Sequence, residues 1–253
     1  MRRVERLLRA TAKAEARHFW FRGFRAFVTP LLRRAAANRT RLLLLDCGCG
    51  TGANLDLLDR FGRAYGFDLS DVGLRIGRAA GRRRLARGSV AAAPFPAASF
   101  DIVTSFDVLY SLPDPEERDA IAEMFRVLKP GGFAVVNVAA MEVLRGDHSV
   151  LSHEIRRYSR GDLRRRLEAT GFSVERITYT NASLFLPLLA ARTLQRRRGL
   201  REEQEAQQEI RVPLAPINAG LSTVMWIESL WLRLFDAPFG SSLLCLARKP
   251  GAA

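Results

Sequence analysis

The chain has 253 residues, 48% of them hydrophobic and 26% charged, with a formal net charge of +14. That length suits one α/β domain with a large core. Only three cysteines occur (Cys47, Cys49 and Cys245), in apolar contexts without Cys-x-x-Cys spacing, which argues against a disulfide framework or a zinc site. The positive charge would ordinarily point to nucleic acid or a membrane surface. Its makeup points to a blander origin, since the only lysines are Lys13, Lys129 and Lys249 and the arginines are dispersed, with local runs at 82–84, 164–166 and 196–198.

The N-terminus lacks the apolar core of a signal peptide, and the longest apolar runs are too short to span a bilayer or carry Glu228, so a cytoplasmic protein is expected. Residues 1–15 and 17–36 have amphipathic helical spacing, interrupted near Pro30, and predict a helical cap over 1–38 centred on His18-Phe19-Trp20-Phe21-Arg22-Gly23. Next comes Leu42-Leu43-Leu44-Leu45-Asp46-Cys47-Gly48-Cys49-Gly50-Thr51-Gly52. The apolar run suits a short strand buried on both faces, and the glycines let a ligand approach the main chain.

Gly48-x-Gly50-x-x-Ala53 with Asp68 further on also fits a dinucleotide loop. Asp46 separates the two readings. A pyrophosphate wants a helix N-terminus free of negative charge, whereas an ammonium or sulfonium wants a carboxylate. The ligand expected here is cationic.

At this point the chain resembles the class I S-adenosylmethionine (SAM) dependent methyltransferases, whose first motif is an acidic residue followed by G-x-G-x-G, here Asp46, Gly48, Gly50 and Gly52. Further segments resemble the family's later motifs in order: Tyr65 to Ser70, Gly88-Ser89-Val90, Ser99 to Val103, and Leu128 to Val136. The resemblance spans about residues 41–138 and implies SAM as cofactor, S-adenosylhomocysteine as product, and no metal. It implies that Asp68 accepts both ribose hydroxyls, a role suited to a bidentate acceptor. It places Cys49, Leu69, Ser89, Val90 and Phe106 around the cofactor. Ser89 stands where many relatives carry Asp, a weaker acceptor for the adenine amino group. Trp20 and Arg22, in the aromatic cap, would close over the cofactor, with Arg22 near the methionine carboxylate. The competing reading is that Phe19, Trp20 and Phe21 only anchor the cap.

Strands are predicted near 41–46, 64–68, 85–88, 101–106 and 132–138, with helices near 53–61, 71–81 and 116–127, giving a doubly wound, mostly parallel sheet. Ser159 reads as an N-cap with Asp162 as its capping-box partner, opening a helix over 160–170. Residues 172–180 predict a sixth strand and 242–247 an antiparallel seventh. One domain therefore divides into a cap (1–38), a SAM-binding core (39–181), a helical insertion (182–240) and a final strand (241–248). The insertion holds Leu184 to Leu189, a charged stretch Arg201 to Glu205, and Met225 to Leu232. Its surplus of apolar residues suits an acceptor pocket, a homodimer contact, a peripheral membrane contact, or simple packing on the sheet edge.

The acceptor face should lie beyond the carboxyl ends of strands four and five. After strand four the chain reads Ser105-Phe106-Asp107-Val108-Leu109-Tyr110, without the polar-Pro-Pro-aromatic pattern of adenine amino methylation and without a nucleophilic cysteine. Nucleic-acid base methylation of those types is disfavoured. After strand five, residues 146–158 carry His148 and His153, two of the chain's three histidines, and resemble a segment of a bacterial small-molecule methyltransferase group. His148 or His153 is the candidate general base toward a hydroxyl, against a structural role as loop histidines. Tyr110 is the candidate closing the pocket, and Arg157 and Tyr158 the candidates for binding substrate. The resulting expectation is a methyltransferase acting on a small, partly apolar metabolite at O, N or C. An RNA methyltransferase, or a SAM-binding protein that transfers no methyl, is the alternative.

Overall fold

The computed structural model describes residues 8–9, 11–199 and 212–251. The helix expected over 1–15 falls partly outside them, and the charged stretch 201–205 wholly outside.

In chain order the elements are α1 (Phe19–Ala36), β1 (Leu42–Cys47), α2 (Leu55–Leu58), β2 (Gly62–Asp68), α3 (Asp71–Ala79), β3 (Leu85–Arg87), β4 (Phe100–Phe106) and α4 (Asp114–Val127). They continue as β5 (Leu128–Ala139), α5 (Asp147–Leu151), α6 (Arg160–Glu168), β6 (Ser173–Thr180), α7 (Phe185–Arg198), α8 (Ala215–Trp231) and β7 (Ser242–Arg248). The seven strands form one sheet in the order β3-β2-β1-β4-β5-β7-β6. Strands β1 to β5 pair in parallel, and β7 runs antiparallel to both neighbours. The order reverses between β1 and β4, where an open α/β sheet leaves a crevice for a ligand.

The leucine run of β1 is covered on both faces. Leu42 and Leu44 meet Phe27, Leu31 and Leu32 of α1, while Leu45 belongs with Ile121 and Met124 of α4. Each such buried leucine contributes about 1.5–3 kcal/mol relative to an exposed one. Contrary to the expected interruption, α1 runs through Pro30. Val28, Leu31, Leu32 and Ala35 are buried around that position, and this packing offsets the backbone hydrogen bond a proline cannot make.

Two more boundaries differ from expectation. Helix α2 is a single turn, because the Asp59 side chain accepts from the Ala64 amide at 3.0 Å and draws the chain into β2. Strand β5 begins at Leu128 rather than beyond the glycines, with a register irregularity opposite Phe100 to Ile102. Gly131 takes a left-handed φ of 75° within this bulge, and its amide donates to the carbonyl of Lys249 after β7. The expected cap of α6 forms, with Ser159 Oγ accepting from the Asp162 amide at 3.1 Å.

Six arginines of the three runs form internal ion pairs. Arg82 pairs with Asp56, Arg84 with Asp59, Arg164 with Glu168, Arg165 with Asp162, Arg166 with Glu117 and Arg198 with Asp147.

Candidate active site

Strand β1 delivers Asp46 and Cys47 to the crevice, and the chain then turns through Gly48 to Gly52. Gly48 has a φ of 76°, and a Cβ there would stand 2.5 Å from a Val108 methyl, so only glycine lets the loop lie against the end of β4. The Gly50 amide donates to Asp68 Oδ2 at 2.8 Å, and the Ser70 amide donates to Oδ1 at 2.7 Å. Asp68 is thereby fixed at the end of β2, with lone pairs left on both oxygens. Burial raises its pKa, and the amide hydrogen bonds from Ser70 and Gly50 oppose that rise.

Asp46 is almost wholly buried. Its Oδ1 accepts from Thr104 Oγ1 at 2.7 Å, and its Oδ2 is buried with no hydrogen-bond partner among the described residues. Burial pushes its pKa up to about 7, against the Thr104 hydrogen bond and with help from the charge of Asp68. An orphaned carboxylate oxygen beside a glycine turn is an acceptor that a cationic ligand satisfies and a pyrophosphate does not. These residues fit a ligand such as SAM: Asp46 offers an acceptor to a positive group and Asp68 offers two to a vicinal diol.

The other residues placed around the cofactor divide. Leu69 is exposed beside Asp68, and Val90 is half-buried. Ser89 Oγ accepts from the Ala91 amide at 3.2 Å, so part of its capacity serves its own turn. Cys49 points inward toward Gly66, leaving only its backbone for the loop's ligand side. Phe106 is buried edge-to-face against Phe24 of α1, with ring centroids 5.0 Å apart.

Beyond the carboxyl ends of β4 and β5 lies a cavity of about 380 Å³. His18 to Phe21, at the start of α1, line one part of it. Leu184, Leu188 and Arg192 line another, and Asp107, Tyr110 and Ala139 come from the strand ends. His18 caps α1, its Nδ1 accepting from the Trp20 amide at 3.1 Å, which brings Trp20 to the cavity. Arg22 is two residues on, about 200° around the helix. It lines surface clefts with Trp226 and with Glu15 and Arg25 instead, so the structure does not bring it to this cavity.

Asp107 was not among the residues singled out from the sequence. Its φ is 61°, and its Oδ1 accepts from Asn137 Nδ2 at 2.9 Å. Its surface opens into the cavity while protein surrounds it, and this desolvation pushes its pKa up to about 7. Glu154 adds to the rise, and the Asn137 hydrogen bond and Arg157 oppose it. A lone Asp after a strand carries no sequence signal of its own. Its strand-end position one residue before Val108, which packs on Gly48, is the only pointer.

Arg157 lines the cavity, and most of its donors are engaged within the protein. It donates to both oxygens of Glu154, at 2.8 and 3.1 Å, and to the Ala140 carbonyl at 2.9 Å. Burial works against the charge of Glu154, yet Arg157 first and His148 second hold its pKa below the ordinary value. His148 is half-buried on α5 and lines the cavity. Tyr110 lines it too, and burial drives its phenol well above the ordinary range.

Two candidates are placed elsewhere. His153 follows α5 with a left-handed φ of 53°, outside the cavity lining, and its Nε2 is buried without a hydrogen-bond partner among the described residues. Tyr158 is 2% exposed and its hydroxyl donates to Glu117 Oε1 at 2.6 Å. Glu117 in turn is held by Arg156 and Arg166, so Tyr158 belongs to a buried ion-pair network. Among the described residues no cluster of side chains suits a metal ion.

Residues 45–136 match the family model described as "Methyltransferase domain". Over these residues the chain is similar to SAM-dependent methyltransferases. A Mycolicibacterium smegmatis protein named "probable S-adenosylmethionine-dependent methyltransferase" is 32% identical over 162 residues, covering 62% of this chain and 61% of that protein. The demethylmenaquinone methyltransferase of Geobacillus kaustophilus is 35% identical over 112 residues, covering 40% of this chain and 47% of its own length. The match thus spans about half to three fifths of these relatives. The same fold occurs in the complex between the Haloferax volcanii Trm112 methyltransferase activator and a methyltransferase, at 21% identity and a TM-score of 0.60, over 99% of this chain and 98% of that one. The [4+2]-cyclase SpnF shares it at 22% identity and a TM-score of 0.57, over 90% and 81%.

Proposed function

We propose that this protein transfers a methyl group from SAM to a small, partly apolar acceptor bound in the cavity between α1, α7 and the ends of β4 and β5. The observation that carries the reading is Asp107, a carboxylate open to an apolar cavity and one residue from Val108, which packs on the cofactor loop at Gly48. The curated relatives that include a demethylmenaquinone methyltransferase support an acceptor with apolar character.

The bound cofactor supplies an electrophilic methyl on a sulfonium. Asp46 meets the positive charge and Asp68 the ribose. The aromatic wall from Phe19 to Phe21, with Leu184 and Leu188, excludes water and orients the acceptor. Such alignment supplies about 7–11 kcal/mol in well-oriented systems. An acceptor hydroxyl that loses its proton on methylation gives that proton to Asp107 Oδ2, since Asn137 occupies only Oδ1. His148, on the same lining, is the second group able to take it, and Tyr110 closes the acceptor side.

The test is incubation with methyl-labelled SAM and a solvent extract of bacterial small molecules. Label moving into the organic phase, with S-adenosylhomocysteine formed in step, is the expected result. Label appearing only in added RNA, or SAM bound without loss of methyl over any fraction, overturns it.

A further inference from the structure

Helix α8 carries an exposed stripe of Ile217, Val224, Ile227 and Trp231, which continues into Leu234 of the following turn. The steps of seven, three, four and three residues place these side chains on one face. The only charged residue in the helix is Glu228. It is buried, accepting from the amides of Ala182 at 2.8 Å and Ser183 at 3.0 Å, where α7 is about to begin. No charged side chain of α8 therefore reaches its surface, in a chain of which 26% is charged.

A helix built to face water in such a chain would carry charge, and an apolar surface of this kind marks a docking face. We propose that this face lies on an anionic lipid bilayer, with α8 parallel to the surface in the headgroup region. Three observations select that occupant. The chain carries a net charge of +14, which repels a second copy and attracts an anionic surface. The stripe's edge is aromatic, with Trp226 exposed and Trp231 and Phe235 in ring contact at 5.5 Å, a composition suited to the boundary between headgroups and acyl chains. The start of α8 also adjoins the acceptor cavity, because Pro213 lines that cavity just before the helix begins. The Phe19 amide, from the cavity wall, donates to Asn218 Oδ1 of α8 at 2.8 Å. At 17 residues α8 lies on the bilayer, and among the described residues no helix is long and apolar enough to cross one.

The experiment is flotation of the full chain with phosphatidylcholine vesicles, with and without phosphatidylglycerol, at low and high salt. The expected result is flotation with the phosphatidylglycerol vesicles, weakened by salt, and reduced about tenfold or more by Ile227→Glu with Leu234→Glu. Both side chains are exposed, so thermal melting and SAM affinity stay as in the parent, which separates this test from the methyl-transfer reading. No flotation with phosphatidylglycerol vesicles overturns the proposal. So does flotation that the double variant leaves unchanged, because the arginines alone would then account for it. A parent chain that sediments as a dimer, converted to monomer by the variant, assigns the face to a second copy and overturns it as well.

Discussion

Asn137, on the fifth strand, donates its side-chain amide to Asp107 Oδ1 at 2.9 Å across the carboxyl end of the sheet, while the Asp107 amide donates back to the Asn137 carbonyl at 2.9 Å. The pair locks a left-handed turn and holds one carboxylate oxygen while the other stays available to the cavity. Neither residue resembles a catalytic motif. Together they make the most reactive-looking corner of the acceptor site.

Asp107→Asn should leave SAM affinity by calorimetry near the parent value, because Asp107 lies on the acceptor side. Turnover with a hydroxyl acceptor should fall by about 100-fold or more, the usual scale for losing a positioned base. The rise in rate through pH 7, where the parent carboxyl ionises, should disappear. Loss of SAM affinity with turnover kept at saturating SAM would make Asp107 a cofactor residue instead.

Asp46 makes the empty protein sensitive to pH. Its folded pKa, up at about 7, exceeds its ordinary value of 3.8, so the folded state holds a proton that the unfolded chain has released. The contribution of this group to stability is therefore full below about pH 4 and declines as pH rises toward 7. SAM brings the missing positive charge, so its effect on the melting temperature should grow over the same window. Differential scanning fluorimetry with and without SAM reads both trends, and Asp46→Asn should flatten them.

Asp68→Ala should abolish most SAM affinity while the chain stays folded. It also leaves the Gly50 and Ser70 amides without an acceptor, a loss of about 1–3 kcal/mol if water does not replace it. Unchanged calorimetric affinity in the folded variant would remove the ribose assignment.

Arg157→Ala removes the main partner of Glu154, whose side chain is 2% exposed, leaving it to His148 and the hydroxyl of Ser152, and should cost up to about 3–5 kcal/mol in urea unfolding. Adding Glu154→Leu should recover much of that loss. If the single variant is as stable as the parent, the pair is not the brace of the loop after β5.

The sheet was legible because its determinants are local. Leu42 to Leu45, the positive-φ glycines after them and the cap at Ser159 each state their structure within a few residues. The acceptor side was not legible in the same way. His153 sits next to a motif-like segment but lies outside the cavity lining, and Tyr158 is claimed by Glu117, far away in sequence. Asp107 acquires its character from Asn137 and from the walls around it. Partners set by tertiary packing leave no spacing to read.

The carboxylate of Glu228, bonded to the two amides ahead of α7, ties the far end of the excursion between β6 and β7 to its beginning. A loop closed on itself in this way asks little of the strands that carry it. The excursion instead answers to α1 and to the loop after β5, through Asn218 with Phe19 and Arg198 with Asp147, so a change within it is felt first at the cavity wall.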